Sequence, residues 1–222
     1  MRDIASDLVN AALTDVHGSW LPELDLALLQ KARASALGRR WLAANLSSVE
    51  LFSQPPALLG IEATSLLESS WWQYSLSLCS QPLLEIGAFA FIPSIRAAVL
   101  RAQVMQWRRV LGRDTYLALL KNSDALFQQH MIPVACQPEN NIVADDAVLT
   151  EKIRKTACFE LLSYAGAIHP LLRLRVALAF PKCWSDEHLK HSYIAGLSSE
   201  FLSSRLDQMR YAMALLENTV EA

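Results

Sequence analysis

Cys183, His188 and His191 form the chain's one grouping with metal-ligand character. The two histidines, three positions apart, share a helix face, with the cysteine more than a turn earlier. A structural zinc site wants four ligands, so a fourth would have to come from elsewhere, such as Cys158 or His169. Histidines beside Asp186 and Glu187 more simply make a solvated polar face, and no metal is expected. Asp145 and Asp146 are adjacent carboxylates ahead of an apolar-periodic segment. Helix capping explains them better than acid–base chemistry, which needs two groups facing one substrate. The seven glycines are never closer than 20 positions, and HExxH does not occur. Phosphate-cradling loops, dinucleotide turns and GxSxG elbows need glycines a few residues apart, because backbone must approach phosphate closely or turn sharply. None of these is possible here in its usual form, no cofactor is expected, and any catalytic set would have to be assembled by folding.

Arg96, Arg101, Arg108 and Arg109 lie on one predicted helix over roughly 94–111. At about 100° per residue, Arg101, Arg108 and Arg109 fall within roughly a third of its circumference. The plain reading is a solvated amphipathic face; the sharper one is an electrostatic docking patch for an acidic protein surface. Arginine outnumbers lysine 14 to 6, and the weakly hydrated planar guanidinium suits protein contacts. A second candidate surface is the last predicted helix, after Gly196. There Leu202, Leu206, Met209 and Met213 repeat at spacing 4, 3, 4, a stripe for a core or for a partner helix.

The elements that carry these residues are helical. Of the 222 residues, 52% are hydrophobic and 19% charged, which excludes a disordered chain. The net charge of −2 leaves no strong basic field for nucleic acid or anionic membrane. The expected fold is all-α, one compact multi-helix domain over 1–222. A loop at about 132–146 is its candidate subdomain boundary. One helix is predicted from near Pro22 to Arg40, with Leu24, Leu28, Ala32, Ala36 and Leu37 as its apolar stripe. Others are predicted at roughly 63–79, 83–91 and 94–111. Pro93 stops the third of these four, Ser94 caps the fourth and Gly112 ends it. A helix from Asp114 to about Lys121 follows, with Ser123 or Asp124 capping a short one after it. Another runs from about Ala147 to Tyr164 with Leu149, Ile153, Ala157 and Leu161 on one side, and Ser185 caps a short helix. Residues 169–181 fit both periodicities. Leu172, Leu174, Val176, Leu178 and Phe180 alternate as in a strand, while Leu171, Leu174 and Leu178 suit a helix. With no other clear strand to pair with, helix is favoured, and a minor β segment near 172–180 is the alternative. The four cysteines, Cys79, Cys136, Cys158 and Cys183, form no CxxC pair. With no signal-peptide pattern or membrane span, they point to a cytoplasmic protein with reduced thiols.

Two regions carry a family resemblance. The first is Leu76 to Leu100, with Ile95-Arg96-Ala97-Ala98-Val99-Leu100 near its end, continuing through Arg109-Val-Leu-Gly-Arg-Asp-Thr-Tyr-Leu-Ala-Leu-Leu120. The second is Leu171-Leu-Arg-Leu-Arg-Val-Ala-Leu-Ala-Phe-Pro-Lys-Cys-Trp184. Ser19-Trp-Leu-Pro22 adds a weaker match. Together they resemble the SctK family of type III secretion systems. That family has a leucine-rich helix, a small-residue turn, an "IR..VL" helix, an "LG..T...L" step and an "L.LRLP" segment. The resemblance covers a third to a half of the chain and includes no catalytic signature. The 132–146 loop and the last helix have no counterpart in it. It implies a non-enzymatic adaptor of the sorting platform at the cytoplasmic face of the bacterial inner membrane. Such an adaptor joins the cytoplasmic domain of an SctD-like inner-membrane ring protein to the SctQ-like pod protein. It binds no nucleic acid and reaches the membrane through its partners only. The alternatives are a secretion chaperone, which would hold effector segments on exposed apolar helices, and a helical enzyme whose site is assembled by folding.

Overall fold

The computed structural model describes residues 13–46, 81–121, 145–168 and 170–190. These are helical, with no strand among the described residues, so the all-α expectation holds. The chain divides into two compact units: Met1–Leu78 with Leu161–Ile194, and Cys79–Glu160 with Ala195–Ala222. The predicted helix at 63–79, the short helix after Lys121, most of the 132–146 loop, and the last helix lie outside the described residues. So do Leu202, Leu206, Met209, Met213, His169 and His191.

In the first unit, a single-turn 3-10 helix at Gly18–Trp20 precedes α1 (Leu26–Ala34) and α2 (Ala36–Leu46). The expected single helix from Pro22 to Arg40 is therefore two. It starts at Asp25, whose carboxylate accepts the Leu28 N–H at 2.8 Å. It breaks at Ser35, whose hydroxyl accepts the Gly38 N–H at 2.9 Å and caps α2. Arg39, near the start of α2, donates across the corner to the Arg33 carbonyl at 2.8 Å, in the last turn of α1. The predicted apolar stripe is corrected as well. Leu28 and Leu37 are exposed, while Leu29, Leu42 and Leu46 are the buried positions.

The helix α8 (Pro170–Ala179) settles the ambiguous segment, and the minor β alternative is overturned. Every residue from Leu174 to Phe180 is buried. From Leu174 onward no side of the helix is left polar and exposed to define a stripe, so alternating Leu174, Val176, Leu178 and Phe180 mimic a strand. No glycine caps its end. Instead His17 N–H donates to the Leu178 carbonyl at 2.6 Å. The Trp20 indole N–H donates to the carbonyls of Ala177 and Phe180 at 3.1 and 3.0 Å. Ser185, expected as an N-cap, lies inside α9 (Lys182–Lys190) and donates its hydroxyl to Ala177 at 3.3 Å. Carbonyls left over at a helix end thus find partners from distant chain.

The second unit holds α3 (Gln81–Ala88), a 3-10 turn Phe89–Phe91, α4 (Ile92–Ala97), α5 (Arg101–Leu111) and α6 (Arg113–Lys121). It also takes the first part of α7 (Asp146–Ile168), a helix within which the boundary between units falls. The helix expected at 94–111 is broken. Pro93 sits in the first turn of α4, where its missing N–H costs nothing, instead of ending the preceding helix. Ala98 to Leu100 separate α4 from α5. The break has a packing cause. On one continuous helix, Ile95 and Leu111 would lie roughly 160° apart. Broken, both reach the same cluster, with Ile92, Phe91, Trp107 and Ile153. Val99 and Leu100 are left exposed at the joint.

Gly112 ends α5 at φ 84° and ψ 157°, a conformation that side-chain-bearing residues rarely adopt. A Cβ there would meet nothing within 4 Å. Gly112→Ala is therefore expected to cost about 1–3 kcal/mol through backbone strain alone. Urea denaturation checks this: a midpoint equal to wild type would show that the α5–α6 joint relaxes freely.

Candidate interaction surfaces

The arginine face predicted on 94–111 belongs to α5. Its inner side carries Gln106, Trp107 and Leu111, all buried. Trp107 packs at a tilt on Phe91, ring centroids 5.8 Å apart. At about 100° per residue, Arg101, Met105 and Arg108 follow one another down the outer side, with Arg109 beside them. Met105 is 40% exposed. It is the residue that sequence reasoning missed. The signal was its position at i+4 from Arg101 and i−3 from Arg108, hidden because a methionine on a helix reads as core.

The three arginines do not have the same role. Arg109 is committed within the chain. Its Nε donates to Asp146 Oδ2 at 2.7 Å and an Nη to Oδ1 at 3.2 Å, a two-pronged pair across 37 positions. This hydrogen bond is the main cause that holds the Asp146 carboxyl below the ordinary carboxylate range and raises Arg109. Both groups are solvent-exposed, so the pair orients α5 on the start of α7 more than it stabilises the unit. Among the described residues no carboxylate pairs with Arg101 or Arg108. An exposed thioether flanked by two available guanidinium groups can meet an acidic surface that also offers an apolar side chain.

Of the adjacent carboxylates, Asp145 has the role capping predicts. Asp145 accepts the Ala147 N–H at 2.8 Å, and its carbonyl accepts the Leu149 N–H. Asp146 instead takes the ion pair. Of the metal grouping, His191 and the candidate fourth ligand His169 lie outside the described residues. Cys183 is exposed and Cys158 buried, while buried His188 shares a hydrogen bond with Ser163 at 3.0 Å. No cluster of three or more His, Cys, Asp or Glu that could hold a metal occurs among the described residues.

The first unit presents another exposed surface on α2, where Leu37 and Trp41 face solvent near Arg40. No helix among the described residues is long and apolar enough to cross a membrane. The described residues thus form an all-α arrangement with cationic, partly apolar helix faces. No family model, curated protein or solved structure matches the chain.

Proposed function

We propose that the protein is a non-enzymatic adaptor of a type III secretion sorting platform. In this reading it links the cytoplasmic domain of an SctD-like inner-membrane ring protein to an SctQ-like pod protein, at the cytoplasmic face of the inner membrane. The observation that carries the reading is the α5 face. It lies between the two matched parts of the longer resembling region, Leu76–Leu100 and Arg109–Leu120, and carries exposed Arg101 and Met105 with half-buried Arg108. The Trp20 indole N–H, donating to the Ala177 and Phe180 carbonyls, and the Ser19 hydroxyl, accepting the Lys182 N–H, add support. They join the weaker resembling stretch to the other long one.

The test is co-purification of the full chain with the pod protein and with the ring's cytoplasmic domain. Arg101→Glu with Arg108→Glu is expected to weaken association with one of them about tenfold, mainly through slower association. The melting temperature should stay within a degree or two, since surface substitutions away from paired groups cost little. Arg109→Glu should lower association and also loosen the start of α7. Failure of folded protein to bind either partner overturns the adaptor reading. Recovery of a secreted substrate instead supports the chaperone.

A further inference from the structure

The stretch Leu26 to Leu46 contains Lys31, Arg33, Arg39 and Arg40 and no acidic residue, in a chain of net charge −2. Two of these cations are turned to internal work. Arg39 bonds the Arg33 carbonyl, and Arg33 lies half-buried within electrostatic reach of Asp15. Lys31 and Arg40 are exposed, and no carboxylate among the described residues pairs with either. Leu37 and Trp41 stand one turn apart on α2, 78% and 46% exposed, while Leu42 and Leu46 hold its other side in the interior. Tryptophan is on average a well-buried residue. Trp and Arg are also the side chains over-represented among those that dominate binding energy.

We infer that α2, together with Lys31 near the end of α1, is a docking surface for an acidic amphipathic helix of a partner protein. Leu37 and Trp41 take that helix's apolar stripe, and Lys31 and Arg40 meet its carboxylates. Charge complementarity selects this occupant. A second copy of the chain packed face to face would set Lys31 and Arg40 against the same stretch, which holds no acid to pair them. An anionic lipid surface fits less well. The apolar strip is one turn long, and Glu23 and Asp25 lie exposed just before α1. An acidic helix offers both matches at once, with anchors at i and i+4.

The experiment uses the full-length chain in the cell that encodes it, with benzoylphenylalanine in place of Leu37 or of Trp41. After irradiation the cross-linked peptide is mapped, and that segment is synthesised and titrated against the purified protein. The expected product is a helix-forming segment with an excess of Asp and Glu; capture alone does not count without that composition. The synthetic peptide should bind wild type and lose about tenfold or more in affinity against Leu37→Ser or Trp41→Ser. Lys31→Glu with Arg40→Glu should lose about tenfold and flatten the salt dependence. All four positions are exposed, so the melting temperature should not move, which keeps a folding defect apart from a binding one. Cross-linking to the same chain or to a segment without carboxylate excess overturns the inference. So does the absence of a cross-link from either position. Binding to vesicles containing 30% phosphatidylglycerol that Trp41→Ser abolishes would make α2 a lipid contact and overturns it too. An acidic helix from a protein outside any secretion apparatus supports the docking surface while removing the adaptor reading.

Discussion

Gly87→Ala is expected to destabilise the second unit by about 3 kcal/mol, although alanine is the better helix former. Gly87 lies in the last turn of α3, against the backbone of α7. A Cβ there would collide with the Ile153 carbonyl oxygen and come within 2.8 Å of its carbon. Neither atom is the end of a flexible side chain, so two helix backbones would have to separate. In an exposed helix interior the same substitution gains roughly 0.5–1 kcal/mol, so the sign of the effect tests the close approach. Ile153 is buried in one cluster with Leu84, Trp107 and Leu111. Separation would therefore also loosen the support under α5 and its Arg101–Met105–Arg108 face. Chemical denaturation of the full chain measures the stability change. A midpoint at or above wild type would show that no close approach exists at Gly87.

The same glycine marks the limit of what the sequence reveals. Read along the chain, Gly87 is one of seven isolated glycines, informative only for the phosphate loops they rule out. Its use is tertiary, a helix crossing whose other half lies 66 positions away. Gly112 was legible, because a glycine after an apolar-periodic run is a local signal. So was the buried side of α7, where Leu149, Ile153, Ala157 and Leu161 are all buried as their spacing implies. The two broken helices divide along this line. The break at Ser35 was written locally, as Ser35 followed three positions later by Gly38. The break at 98–100 carries no proline or glycine and follows from the need to bury Ile95 and Leu111 together. The candidate site shows the same split. The arginine face follows from helical spacing, whereas the commitment of Arg109 to Asp146 and the exposure of Met105 depend on where α7 begins and which side of α5 is covered.

The other large expected effect concerns a charge buried in the first unit. Arg175 lies in the fully buried run of α8, its side chain 7% exposed. Its Nη2 meets Asp15 Oδ2 at 3.7 Å, beyond a good hydrogen bond, and its Nε has no hydrogen-bond partner. Desolvation is the main influence on both groups. It raises the Asp15 carboxyl above its ordinary value against the pull of Arg175 and Arg33, and it lowers Arg175 against the pull of Asp15. The pair is thus held by the fold more than it holds the fold. The two partners differ in what their loss leaves behind. Asp15→Leu strands a guanidinium that cannot shed its proton, and it is expected to cost about 2–3 kcal/mol. That is somewhat below the roughly 3–5 kcal/mol for breaking a fully buried pair, because the Asp15 side chain is 40% exposed. Arg175→Met leaves a carboxyl that can turn to water or take a proton, and it should cost less. The double variant should recover much of the Asp15→Leu loss, giving a coupling energy of 1 kcal/mol or more on the order of contacting charged pairs. The pH dependence has a definite sign. A carboxyl whose folded pKa is raised binds its proton more tightly when folded, so its contribution to stability falls as pH rises from the unfolded value through the raised one. In the Arg175→Met variant Asp15 loses its nearest cation and its pKa rises further, so that fall should extend to higher pH. Stability measured from pH 4 to 8 across the four proteins of the cycle tests each step. Equal costs for the two single variants would show that Arg175 is as well hydrated as Asp15, contrary to its position in α8.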